Sequence, residues 1–232
     1  MKKWLALAAT AVLGASLLIS GCGSSTNNAS SSGASSSKAE VLKVAANPVP
    51  HAEILNHIKP LLAKEGVDLQ VIEFTDYIQP NMALSSKEVD ANFFANVPYQ
   101  NNFNKDHGTN FVSFAPVHIE PLAIYSQKIK DLKDLPNGAK VAIPSDPTNS
   151  ARALLLLQSA GLVTLKDPTG LTNTPFDVTS NPKNIQITEL EAAQIPRSIQ
   201  DLDAAVINAN YALPAGLNPT KDGLFVEKAD SP

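Results

Sequence analysis

"PSDPTNSARALLLL", residues 144–157, is the stretch on which the reading of the fold turns. Just before it, "KVAIP" is a short apolar run that reads as a β-strand, and the leucine-rich run after it, which stops at Gly161, reads as a helix. Asp146 suits the N-cap, with Pro147 at the first helical position. In open α/β sheets, ligands bind beyond the carboxyl ends of the strands, where such helices begin. The free N–H groups of a first helical turn attract an anion. Arg152 adds a planar fork that holds a carboxylate through two parallel bonds, and Asn149 adds a neutral donor and acceptor. This set suits the head of a free amino acid. A capped helix whose Arg152 makes a surface ion pair explains the same residues.

Working outward, β-rich runs alternate with helical ones. "VLKVAA" and "DLQVIEF" read as strands. Between them, "AEILNHIKPLLAKEG" places Ile54, Leu55, Ile58, Leu61 and Leu62 on one helical face, with Gly66 as C-cap and Pro60 expected to kink the helix or make its first part irregular. "PNMALSSKEVD" is a short helix opening on proline, and "DANFF" is a strand leading into a polar-aromatic loop. Residues 110–126 form one long extended stretch broken by Pro116 and Pro121, of the kind expected where a chain passes from one lobe to another. Residues 166–183 read as loop. "NIQITELE" and "AAVINAN" are further strands, separated by the helical piece "AQIPRSIQD". Strands alternating with helices imply an α/β fold with a mostly parallel sheet covered on both faces.

Two more clusters carry chemistry. "FFANVPYQ", with Tyr77 upstream, sets aromatic rings beside polar groups, a pocket suited to an apolar or thioether side chain; core packing accounts for at least one of Phe93 and Phe94. In "VINANYA", Asn208 and Asn210 follow an apolar run, so amides stand at a strand end. Both face one side if the extended geometry continues; otherwise they mark a turn.

The N-terminus speaks to compartment. Lys2 and Lys3 precede an apolar stretch, residues 4–19, of signal-peptide length. It closes on "ISGC", which looks like a bacterial lipobox, and Cys22 is the single cysteine of the chain. That resemblance makes residues 1–21 a signal peptide and Cys22 a lipidated first residue, with two acyl chains (palmitate-like) needed for stable anchoring. The Ser/Asn-rich residues 22–39 read as a flexible tether. The expected localisation is the extracytoplasmic face of the cell membrane. The net charge is −4 with no basic run past the signal, which argues against a nucleic-acid partner. His51, His57, His107 and His118 are scattered along the chain, and neither a GxSxG nor an HExxH motif occurs. No catalytic group, metal or cofactor is therefore expected.

Taken in order, "VIEFTDYIQPNMAL", "DANFFANVPY", "HIEPLAIYS", "IPSDPTNSARALLLLQSAGL", "NPKNIQITELEAAQIPRS" and "AVINANYA" resemble the landmarks of the methionine-binding lipoprotein family, the substrate-binding components of methionine ABC importers. The resemblance covers residues 41–232. It implies a type II periplasmic-binding-protein-like fold of two α/β lobes closing over one amino acid: residues 40–118 as lobe 1, 119–218 as lobe 2, and 219–232 as the start of a return to lobe 1. It implies that Arg152 binds the substrate carboxylate with Asn149 beside it, that Asn208 contacts the amino-acid head with Asn210 nearby, and that Tyr77, Phe94 and Tyr99 line the side-chain pocket. Where the family carries Gln–His, this chain has Ala95 and Asn96, which puts Asn96 in the pocket in place of an imidazole. The family also continues a few dozen residues further, so either the sequence is a fragment or lobe 1 is incomplete, and an incomplete lobe would expose apolar surface. The implied function is capture of methionine or a related amino acid by a monomer that works with a permease and an ATPase. A binder of short methionine-containing peptides, an extracellular hydrolase and an adhesive lipoprotein without ligand are the competing readings.

Overall fold

The computed structural model describes residues 39–229. Cys22, the signal-peptide reading and the tether reading lie outside the described residues. Two α/β halves, each built on its own sheet, make up the described chain.

The first half is built on β1 (Glu40–Ala46), α1 (Glu53–Lys64), β2 (Val67–Glu73), α2 (Gln79–Ser85), β3 (Ala91–Phe93) and α3 (Val97–His107). Its three strands run parallel in the order β2-β1-β3. Val44, Ala46 and Leu69 pack beneath Leu55 of α1 on one face, and Ala45, Ala83 and Val89 form a smaller cluster on the other. Helix α1 runs unbroken through Pro60, contrary to the expected kink. Both Pro60 and Asn56, whose carbonyl loses its partner, are exposed, so water satisfies the freed group. The irregularity sits earlier, in the turn Pro48–Ala52, where Val49 is non-helical at φ −123°, ψ 132°.

Helix α3 replaces the expected polar-aromatic loop. Its caps are well formed: the Asn96 side chain accepts from the Tyr99 N–H at 2.8 Å, and Gly108 closes the helix with φ 65°, a left-handed conformation that glycine adopts without strain.

Residues 109–121 then run without helix or strand, and only β4 (Leu122–Tyr125) of the expected long extended stretch is ladder-paired. Val112, Phe114, Val117 and Ile119 of this segment are exposed.

The second half adds β5 (Lys140–Pro144), α4 (Pro147–Ser159), β6 (Thr164–Leu165), β7 (Val178–Ser180), β8 (Gln186–Leu190), α5 (Ile195–Ser198), β9 (Ala204–Asn208), α6 (Ala209–Ala212), α7 (Pro219–Asp222) and β10 (Phe225–Val226). Its main sheet has the order β10-β4-β9-β5-β8. β5 is parallel to β8 and β9, whereas β4 runs antiparallel to both of its neighbours, β9 and β10. Inside the region read as loop, β6 and β7 pair as a small ribbon. Helix α4 covers one face and is buried nearly all round, with Leu154 and Leu157 fully enclosed. Each such leucine contributes about 1.5–3 kcal/mol of hydrophobic stabilisation. Ile195, Ile199 and Ala212 cover the other face.

Residues 219–232 were read as the start of a return to the first half. In their described part, Phe225 pairs with Ile124 at the edge of the second sheet, and the Glu227 N–H bonds the Leu122 carbonyl. Close packing makes this fit, since a Cβ on Gly223 would stand 2.4 Å from the Pro219 carbonyl oxygen and 3.2 Å from Ala123 Cβ. Among the described residues, no helix is long and apolar enough to cross a membrane.

Candidate functional site

Strand β5 ends at Pro144 and delivers Asp146 to the mouth of α4. Asp146 caps the helix, accepting from the Asn149 N–H at 2.9 Å, and its two carboxylate oxygens each take a bond from Asn149 Nδ2 at 3.0 Å. This fixes the amide, and its Oδ1 becomes a shared acceptor for Arg152 Nη1 at 3.1 Å and Asn208 Nδ2 at 3.0 Å. The polar first turn of the leucine helix is thus one network reaching from α4 to the end of β9. Burial raises the pKa of Asp146, outweighing the Asn149 hydrogen bonds and the Arg152 charge.

Arg152 is not the surface cation of the simpler reading. Its Nη2 pairs with Glu227 Oε2 at 2.6 Å and its Nε with Oε1 at 3.3 Å, with side chains only 11% and 5% exposed. Glu227 also accepts from the Leu122 N–H at 2.9 Å. A carboxylate from β10's end therefore already takes the two-pronged geometry expected of a bound acid. Sequence reasoning missed Glu227, because one acidic residue beyond a two-residue strand has no spacing that marks it.

Asn208 and Asn210 are both buried, yet the chain turns between them: β9 ends at Asn208 and α6 starts at Ala209. The extended geometry does not continue, and both still line the same cavity. Each leaves one buried amide atom without a hydrogen-bond partner among the described residues, Oδ1 of Asn208 and Nδ2 of Asn210. A buried polar atom left unpaired costs about 1–3 kcal/mol, so a ligand that supplies a donor and an acceptor here gains that much.

From the first half, Tyr77 donates to Asn210 Oδ1 at 2.6 Å and Tyr99 donates to the Tyr77 carbonyl at 2.7 Å. Tyr77 stacks on Phe94 with ring centres 5.9 Å apart and meets Tyr99 edge-on at 5.8 Å. Tyr211, which the sequence reading did not single out, joins this cluster at 5.0 Å from Tyr77 and donates to the Thr75 carbonyl. Burial pushes the Tyr77, Tyr99 and Tyr211 hydroxyls well above their ordinary pKa, so they stay neutral donors. Asn96 is exposed and occupied as the α3 cap, although it too borders the cavity.

All eight expected ligand residues border one cavity of about 890 Å³. The cavity extends past them beneath α1, to Leu55 and Ile58, and along the exposed residues 112–119. At its other side His51, His118 and Glu120 meet, with Glu120 Oε1 within 2.9 Å of His51 Nε2 and 2.5 Å of His118 Nε2. The histidines expected to be scattered are, for these two, adjacent. Burial works to raise the Glu120 pKa, but the hydrogen bonds and charge of both imidazoles outweigh it and hold the carboxyl below its ordinary value.

Comparison with known proteins fits this geometry. The D-methionine-binding lipoprotein MetQ of Escherichia coli (strain K12) is 50% identical over 171 residues, covering 73% of this chain and 63% of that protein. The chain thus spans less than two thirds of the length of such relatives. A nutrient binding protein from Burkholderia cenocepacia, solved bound to methionine, superposes with a TM-score of 0.80 at 48% identity, covering 82% of this chain and 81% of that one. Lipoprotein Tp32 from Treponema pallidum gives a TM-score of 0.80 at 41% identity over 84% of this chain and 80% of its own. The family model described as NlpA lipoprotein matches residues 42–232. The chain belongs to the NlpA lipoprotein family.

Proposed function

We propose that this chain is the lipid-anchored, extracytoplasmic binding component of an ABC importer, capturing methionine or a close relative between its two halves. The observation that carries the reading is the Arg152–Asn149–Asn208 network with two unpaired amide atoms, Asn208 Oδ1 and Asn210 Nδ2, on one cavity wall. The ligand ammonium is a donor for Asn208 Oδ1. Its carboxylate is an acceptor for Asn210 Nδ2 and for Arg152, in exchange for part of the Glu227 pair. The thioether goes among Tyr77, Phe94 and Tyr99, where sulfur–aromatic contact adds about 0.3–1.5 kcal/mol. Binding energy stabilises the arrangement in which Tyr77 reaches Asn210, and no bond is made or broken in the ligand. The proposed partners are a permease and an ATPase, with Cys22 as the lipid attachment point and the chain acting as a monomer.

The names of its relatives support this reading. A short methionine-containing peptide is the second reading, favoured by the extension of the cavity beneath α1. Calorimetric titration of the full chain with L-methionine, D-methionine and glycyl-methionine decides between them. Saturable heat with a free amino acid supports the first reading, and heat with the dipeptide alone supports the second. Heat with none of the three, from protein dialysed against denaturant and refolded, overturns both.

A further inference from the structure

We propose that His51, His118 and Glu120 form a binding site for one borderline divalent metal ion of the zinc class. Their donor atoms, two imidazole nitrogens and a carboxylate oxygen, lie within 4.8 Å of one another. Nitrogen and oxygen ligands of zinc stand roughly 2.0–2.2 Å from the ion, which puts neighbouring donors about 3.3 Å apart in a tetrahedron. Both imidazole nitrogens already crowd Glu120 Oε1, at 2.9 and 2.5 Å. Small side-chain rotations that spread the three donors would let an ion replace the shared protons. Two imidazoles and one carboxylate match zinc, cobalt or nickel rather than calcium or magnesium, which prefer oxygen ligands.

The fold gathers the three donors before any ion arrives, so only short side-chain rotations are needed. His51 sits in the buried turn after β1, 3% exposed, and comes from a segment 67 residues before His118. His118 and Glu120 share parity in the irregular segment 109–121, which an extended chain turns to one side. Phe93 packs edge-on against both rings, 4.9 Å from His51 and 5.5 Å from His118. The Glu120 carbonyl is tied to Arg152 Nη2 at 3.4 Å. Side chains locked by packing are what a metal site requires for affinity. His118 and Glu120 remain 26% and 21% exposed, so an ion can reach them from solvent and a water can complete the shell. An ion here would fasten the segment leaving the first half to the turn after β1. The site shares no side chain with the proposed amino-acid contacts.

The test is zinc chloride titrated by calorimetry into tag-free full-length protein, with zinc K-edge absorption on the loaded sample. One equivalent of zinc with two imidazole neighbours is expected. His118→Ala and Glu120→Gln, each shown folded by circular dichroism, should weaken binding by more than the roughly 10–100-fold that loss of an outer-shell partner costs. Three results overturn the site: no zinc uptake, uptake unchanged in both variants, or an absorption spectrum of oxygen or sulfur neighbours without imidazole. The absorption arm needs no variant, so a misfolded substitution cannot mask the outcome. Since it uses no amino acid, failure here leaves the methionine reading standing, and the reverse holds.

Discussion

In the second half of the molecule, β5 lies between β8 and β9, and α4 presses nine residues of its thirteen into the interior, so little of that helix meets solvent. In the first half, β1 lies between β2 and β3, and α1 buries Leu55 alone while Leu61 is 55% exposed. Both halves use the same parallel strand–helix grammar, and they differ in how much apolar surface their partners cover. The second half encloses a core able to hold a buried ion pair and a satisfied amide network. The first offers aromatic rings over a cavity that runs on beneath its own helix. In the proposed mode of binding, the head-group contacts fall on the more enclosed half and the side-chain contacts on the thinner one.

The comparison breaks first, and by most, in the cores. Leu157→Ala removes a fully enclosed side chain and should cost about 4 kcal/mol, whereas Leu55→Ala borders the cavity and should cost about 2 kcal/mol. Urea denaturation measures both, and equal losses would remove the distinction between the halves.

Tyr77→Phe tests the joint between them. It deletes the donor to Asn210 Oδ1 and leaves that amide without either partner, at a cost of about 1–2 kcal/mol. A loss of unfolding free energy of that size in urea denaturation is expected, and none would mean that water replaces the bond.

The smallest effect concerns the α4 cap. Folding raises the pKa of Asp146, so its stabilising contribution belongs to the protonated form. It is fully present below the unfolded value of about 3.9 and is lost as pH rises through the folded value. Asparagine keeps the cap without the charge. Asp146→Asn should therefore gain on the wild type as pH is raised from 3 towards neutrality, by no more than about 1 kcal/mol, read from thermal unfolding at each pH. A gain that runs the other way would assign Asp146 a stabilising charge.

Much of this was legible in sequence, and the exceptions share a cause. The strand–cap–helix at β5 and α4 was readable because Asp146, Pro147 and Gly161 mark its ends and leucines fill its body. Helix α3 hid because only Tyr99 and Phe103 of its residues are buried, too few to set a period, although Asn96 and Gly108 carried its caps. The long stretch over residues 110–126 read as extended between its prolines, but only residues 122–125 find neighbours to pair with. Glu227, Tyr211 and the His51–His118–Glu120 meeting are long-range products of the fold, and no local pattern announces them.

The central claim is that Arg152 and its amide neighbours grip the head of an amino acid. Calorimetric titration of L-methionine into wild-type protein and folded Arg152→Ala tests it most directly. The account predicts saturable binding to the wild type and an affinity about ten- to a hundredfold weaker in the variant, since a charged hydrogen bond to the ligand carboxylate is lost. An unchanged dissociation constant would contradict it.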